Sequence, residues 1–178
     1  MSKIIGIDPG PTHSAFVIWD TEEEMIIKKS EPHRQEAGGL KHATENNFLC
    51  DLVANKSRYP CSQRLLEQYD YFAIEMIASY GMPVGKSVFD TAFWIGRFYE
   101  SAGPRCELRC RLYRKEIVVH HCGNPRAKDG NVARALKDRY GEPGTKKNPG
   151  TTYGLAGDTW QAFAVAIALQ DKLKLNKK

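Results

Sequence analysis

The sequence is short of several features that would settle its class at once. No apolar run approaches the ~20 residues that a bilayer-spanning helix needs, so no membrane span is expected. The first residues lack a basic leader, an apolar stretch and a small-residue cleavage site, so no secretory signal is expected. The five cysteines are an odd number without regular spacing, which argues for reduced thiols and a cytoplasmic location. No internal repeat or low-complexity tract stands out. What is present is ordinary for a soluble globular protein. The chain has 178 residues, 42% hydrophobic and 26% charged, and one domain spanning 1–178 with its own core is expected.

Negative charge is scarce in one region only. Residues 1–104 hold 10 basic and 14 acidic residues, whereas 105–147 hold 12 basic and 5 acidic. The overall charge of +5 is therefore concentrated late in the chain. Such asymmetry suits a polyanionic partner, most simply nucleic acid, although a solvated surface also accommodates it.

Hydrophobic patterning gives the order βββαβαβααα, an α/β chain with a mixed sheet. Residues 1–20 suggest a strand, a tight turn and a second strand, with a third over 25–27, together an antiparallel meander. The polar stretch 31–39 is expected to be loop, and 40–56 helix, with Leu40, Ala43, Leu49, Leu52 and Val53 on one side. A buried strand follows over 71–76, then a Gly/Pro-containing loop over 79–85. An aromatic-rich helix is expected over 87–101, and a half-wet strand over 107–113. Helices are expected over 114–120, 128–140 and 157–173, with a mobile Gly/Pro/Lys loop over 141–157 before the last.

Three carboxylates fall at pinned positions. Asp8 ends the apolar run Ile4-Ile5-Gly6-Ile7 and is followed by Pro9-Gly10, a pair that stops a strand with turn chemistry. It is either a turn-initiating Asp or a metal ligand, and the motif alone leaves both open. Glu75 lies within the apolar stretch Phe72-Ala73-Ile74-Glu75-Met76. A salt bridge to a nearby Arg or Lys would explain it, as would a divalent ion. Asp158 stands in the first turn of the last helix, where a plain N-cap is the simpler account. Carboxylate oxygens select hard cations such as Mg²⁺ and Mn²⁺. Two such ions can activate a water and stabilise a leaving oxygen. A basic segment would meanwhile hold a phosphodiester backbone. Together these features predict a metal-dependent nuclease.

At these residues the chain resembles the RuvC-type Holliday junction resolvases of the RNase H-like superfamily. The resemblance is carried by Ile4-Ile5-Gly6-Ile7-Asp8-Pro9-Gly10, by Phe72-Ala73-Ile74-Glu75, and by Asp158 with Ala162-Phe163-Ala164-Val165-Ala166-Ile167-Ala168. Arg114-Lys115-Glu116-Ile117-Val118-Val119 and Ala127-Lys128-Asp129-Gly130-Asn131-Val132 extend it. Over 81–168 it is closest to bacteriophage-encoded RuvC-like proteins, which would work in the cytoplasm of a bacterial host. The resemblance implies a five-stranded mixed sheet flanked by helices, a homodimer, and two-metal hydrolysis of branched DNA with two Mg²⁺ or Mn²⁺ ions per site. It implies that Asp8 bridges the metals while Glu75 and Asp158 each bind one. Tyr80 falls in a junction-probing segment, where stacking on an opened base is a plausible role. Arg114, Lys115 and Lys128 fall in matching basic segments, and Lys146 and Lys147 lie in the loop leading to Asp158; all five are candidates for DNA contact. The pattern departs from the family at Gln161, which stands where a fourth acid is common. Its side-chain carbonyl is a candidate metal ligand without charge.

Other readings compete. Cys106, Cys110, His120, His121 and Cys122 suggest a zinc site but lack paired CxxC spacing. An actin-like phosphate-binding ATPase also begins with a strand and Asp-x-Gly, but needs two such domains. A module that binds branched DNA with weak cleavage or none is the third, and Gln161 keeps it open. The aromatic helix over 87–101 is the candidate dimer face.

Overall fold

The computed structural model describes residues 2–34, 40–54, 69–78, 81, 83–103 and 106–175. The expected mixed sheet is present. Its main path runs through β1 (Lys3–Asp8), β2 (His13–Asp20), β3 (Met25–Lys29), β7 (Tyr71–Met76) and β8 (Leu108–Tyr113), in the order β3-β2-β1-β7-β8, with a short sixth strand (Thr44–Glu45) paired to β2 off this path. The first three form the antiparallel meander, and β7 and β8 join parallel. Five helices accompany them: α1 (Asn46–Val53), α2 (Lys86–Ser101), α3 (Arg114–Cys122), α4 (Asp129–Tyr140) and α5 (Thr159–Leu175).

The two faces of the sheet bury separate cores. Period-2 alternation sends Ile5, Ile7, Phe72 and Ile74 to one face with α1 and α2, and Ile4 and Ala73 to the other with α5. α5 is wrapped in protein from Thr159 to Gln170, which explains why its middle is apolar all round. Gly6 sets how closely α5 lies on β1. A Cβ there would meet the Ala162 carbonyl oxygen and fall 2.8 Å from the Ala166 amide nitrogen. Both are helix backbone, so only glycine permits this approach.

Two expectations are corrected. Residues 31–39 are not simply loop, because β4 (Pro32–Arg34) pairs antiparallel with β5 (Leu40–His42) in a separate two-stranded ribbon. The helix expected over 40–56 begins only at Asn46, because Leu40–His42 belong to this ribbon and β6 (Thr44–Glu45) pairs with β2. Leu40, placed on the helix core face, is largely exposed, whereas Leu49, Leu52 and Val53 are buried as expected. Three-residue strands are too short to show a period, and this let the helical pattern absorb them. The loop over 141–157 carries its own hydrogen bonds: Gly144 bridges Pro149, and Thr145 and Asn148 exchange backbone bonds around a tip made of Lys146 and Lys147.

Candidate active site

The register of the sheet brings the first two acids together. Ile7 pairs with Ile74 across parallel strands, so Asp8 and Glu75 come next in line on neighbouring strands. Asp8 follows Gly6 and Glu75 follows Ala73 on the α5 face. The turn after Asp8 is fixed by a small polar network. The Gly10 amide donates to Ser14 Oγ (3.1 Å), Ser14 donates to Asn46 Oδ1 (2.7 Å), and Asn46 Nδ2 donates to the Gly10 carbonyl (3.0 Å). Ser14 and Asn46 are buried, so the bonds that hold this turn are shielded from water.

The close packing of α5 on Gly6 delivers the third acid. Asp158 immediately precedes α5, and its Oδ2 lies 3.8 Å from Lys41 Nζ on β5. Among the described residues no helix amide donates to the Asp158 side chain. Thr159 Oγ1 accepts from the Ala156 amide at 2.9 Å, which ties the first residue of α5 back to the preceding turn. Asp158 thus stands at the N-cap position, its carbonyl accepting from the Ala162 amide at 3.2 Å, while its carboxylate faces Lys41.

The cluster is short of positive charge. Burial pushes the Asp8 carboxyl from the usual 3.8 up to about 8, reinforced by Glu75 and Asp158 and only partly opposed by Arg114 and Lys41. Asp8 keeps some accessible surface, but protein surrounds most of its carboxyl. Burial also raises Glu75, against the opposing charge of Arg114. Glu75 Oε2 is enclosed and has no hydrogen bond; the Arg114 guanidinium stands 3.5 Å away, an ion-pair distance. Among the described residues, no three His, Cys, Asp or Glu side chains form a ready-made metal cage. Asp8, Glu75 and Asp158 share one neighbourhood, with Arg114 and Lys41 placed against them.

Arg114 is more deeply engaged than a free DNA-binding residue would be. It begins α3 directly after β8, donates to Gln161 Oε1 at 2.8 Å, faces Glu75, and pairs with Asp129 at the start of α4. The Gln161 carbonyl proposed as a metal ligand thus already accepts from Arg114, leaving one lone pair. The Arg114–Asp129 pair also joins the N-termini of α3 and α4. Lys115, the second residue of α3, and Lys128, just before α4, are therefore exposed on one corner. Lys146 and Lys147 are exposed at their loop tip. Tyr80 lies outside the described residues. Sequence reasoning missed Lys41 and Asp129. The Gly38-Gly39 pair before Leu40 was the available signal for the first, since such a pair punctuates short strands. Asp129 carried no comparable signal.

The residues of the zinc reading are divided between the two cores. Cys106 packs with the α1/α2 side and its thiol meets the Asp70 carbonyl, while Cys110 and Cys122 pack on the α5 side. His120 Nε2 faces Asp171 at 2.9 Å, and His121 Nε2 donates to the Ala164 carbonyl at 2.9 Å.

No protein-family model and no curated protein matches the chain. Solved structures do. The Thermus thermophilus RuvC structure superposes with a TM-score of 0.61 at 15% identity, covering 98% of this chain and 96% of that one. T. thermophilus RuvC in complex with Holliday junction substrate gives 0.64 at 14% identity, over 99% and 97%. The fold is RuvC-like. At such identity the likeness concerns the path of the chain. In this chain the end of β1 and the start of α5 carry Asp8 and Asp158, near enough for the Asp158 charge to raise the Asp8 carboxyl.

Proposed function

We propose that this chain is a metal-dependent, structure-specific endodeoxyribonuclease that hydrolyses phosphodiesters in Holliday junctions and other branched DNA. One observation carries the proposal: Asp8, Glu75 and Asp158, distant in sequence, gather at one end of a RuvC-like sheet with too little positive charge to balance them. The donor set fits a hard divalent cation. It offers carboxylate oxygens, one of them buried without a hydrogen bond, and burial and mutual repulsion raise the Asp8 carboxyl, a cost that a bound cation would offset.

Asp8, Glu75 and Asp158 would hold Mg²⁺ or Mn²⁺, two ions per site, with Gln161 alongside. Bound ions supply an activated water and a charge on the leaving oxygen. Arg114 orients Gln161 and keeps positive charge beside Glu75, where negative charge would build up on the reacting phosphate. Lys115, Lys128, Lys146 and Lys147 are exposed cations for the DNA backbone. Tyr80 would stack on an opened base. A homodimer through α2 is part of the proposal, since Phe89 and Phe93 project from this helix with more than half of their surface exposed. Its two-fold axis would match that of a four-way junction. The finer likeness to phage-encoded proteins rests on residues 81–168 and belongs to the same proposal.

The test is cleavage of four-way, three-way, flap and linear DNA in Mg²⁺ and in Mn²⁺. Paired symmetric nicks in the four-way junction are expected. Binding of branched DNA without any cut would favour the second reading, a binding module, for which Gln161 in place of a fourth acid is the specific support.

A further inference from the structure

We propose that Lys41 is a resident cation of the acid cluster, one that exchanges Asp158 for a DNA phosphate when divalent ions load. The inference rests on the nuclease reading above and adds a residue to it.

The ribbon places Lys41 with some care. Lys41 stands opposite His33 in the β4–β5 pair. Immediately downstream, Ala43 is buried, Thr44 Oγ1 bonds Ser30 Oγ at 2.8 Å, and Thr44 pairs with Ser14 of β2. His42 lies against Gly157, just before Asp158. The ribbon is thus fastened to β2 and to the entry of α5, and Lys41 reaches the acids from outside the central sheet.

The two internal cations differ in how freely they can leave. Arg114 is shared among Glu75, Gln161 and Asp129, so moving it would break three interactions. Among the described residues Lys41 has Asp158 as its single ion-pair partner, at 3.8 Å, beyond hydrogen-bond reach. Their side chains are 37% and 47% exposed, so water screens the pair and it is weak. Glu75 is only 16% exposed, so Asp158 is much the more open of these two acids. A divalent ion on Asp158 would neutralise the carboxylate and repel the ammonium. A lysine on its flexible stem can then turn to the phosphate that arrives at the same rim.

The experiment compares wild type with Lys41→Met in two binding measurements. The first is Mn²⁺ affinity without DNA, by calorimetry or electron paramagnetic resonance. Lys41→Met should bind about two- to fivefold more tightly, since a competing cation has gone. The second is the salt dependence of binding to a four-way junction in Ca²⁺, with uncut DNA verified on a denaturing gel. There Lys41→Met should bind more weakly, with a log–log slope smaller by about 1, and the two proteins should share one slope in EDTA. A structural role for Lys41 would weaken both kinds of binding, whereas exchange moves them in opposite directions. Lys41→Gln repeats the test should the methionine protein fold poorly, and Lys41→Arg should restore the slope. Unchanged or weaker Mn²⁺ binding, or equal slopes in Ca²⁺, would overturn the exchange. If Asp8→Asn and Asp158→Asn bound Mn²⁺ as wild type does, the nuclease reading itself would fall, and this inference with it.

Discussion

Asp158 at the start of α5 and Asp171 near its end stand in two carboxylate clusters of opposite design. Asp171 is matched. Arg139 grips both of its oxygens, at 2.5 and 2.8 Å, and His120 adds a bond at 2.9 Å. Burial alone would push the Asp171 carboxyl up, but these partners outweigh it and hold the group below the usual carboxylate range. The cluster at the other end is unmatched. Three acids there face two cations, one of them weakly placed, and Asp8 and Glu75 are held above the usual range. A satisfied cluster gives its free energy to the fold. An unsatisfied one costs stability and gains it back from something outside the chain. This contrast, more than the presence of acidic residues, separates a candidate site from a structural ion pair.

The largest expected effect is on activity. Asp8→Asn or Asp158→Asn should lower single-turnover cleavage of four-way junctions roughly 10³-fold or more at saturating Mg²⁺. Asp171→Asn should leave cleavage unchanged. Full activity in either of the first two proteins would erase the distinction between the two ends of α5.

Gly6→Ala is expected to cost about 1–3 kcal/mol, because the added methyl meets helix backbone that cannot repack. It should also lower cleavage by shifting Asp158 away from Asp8, leaving Asp171 and its partners in place. A denaturant midpoint and a cleavage assay on the same protein check both halves.

Asp171→Asn should cost about 1–3 kcal/mol by leaving Arg139 without its charged partner, with Mn²⁺ affinity untouched. Calorimetric Mn²⁺ titration beside a urea melt separates the two readouts. Loss of Mn²⁺ binding here would mean that the two clusters are not independent.

The smallest effect is on pH dependence. Asp8, with its folded pKa raised to about 8, binds its proton more tightly folded than unfolded, so stability falls as pH rises from about 4 to 8. The raised Glu75 acts in the same direction. Burial lowers His121 from 6.5 to about 4, so its contribution rises with pH between those values and opposes the first. Above 6.5 only the carboxyls act. Asp8 alone should cost the metal-free protein at most about 1.4 kcal/mol per pH unit from 6.5 to 8. Saturating Mg²⁺ or Asp8→Asn should flatten this slope, as thermal melts at stepped pH would show.

Much of this was legible in the sequence. Long periodic segments were found in place: the meander, the strand carrying Glu75, and the aromatic and final helices. Asp8 and Glu75 were placed by short apolar runs, with Pro9-Gly10 closing the first, a property of each strand taken alone. The short ribbon was not legible, because three residues show no period and Leu40 happens to continue the helical spacing of α1. Lys41 was lost with it. The partners of Arg114 were hidden for another reason: they come from β7, α4 and α5, and no local pattern joins them.

The order of residues by itself determined which segments become strands and helices, and hence that Asp8 ends one strand and Glu75 lies near the end of another, because apolar runs and turn chemistry act over a few neighbouring residues. Only the tertiary structure decided that Asp158 joins them rather than merely capping its helix, and that Asp171 is satisfied where Asp8 is not. Those outcomes depend on α5 lying against Gly6, and on charges brought together from segments far apart in the chain.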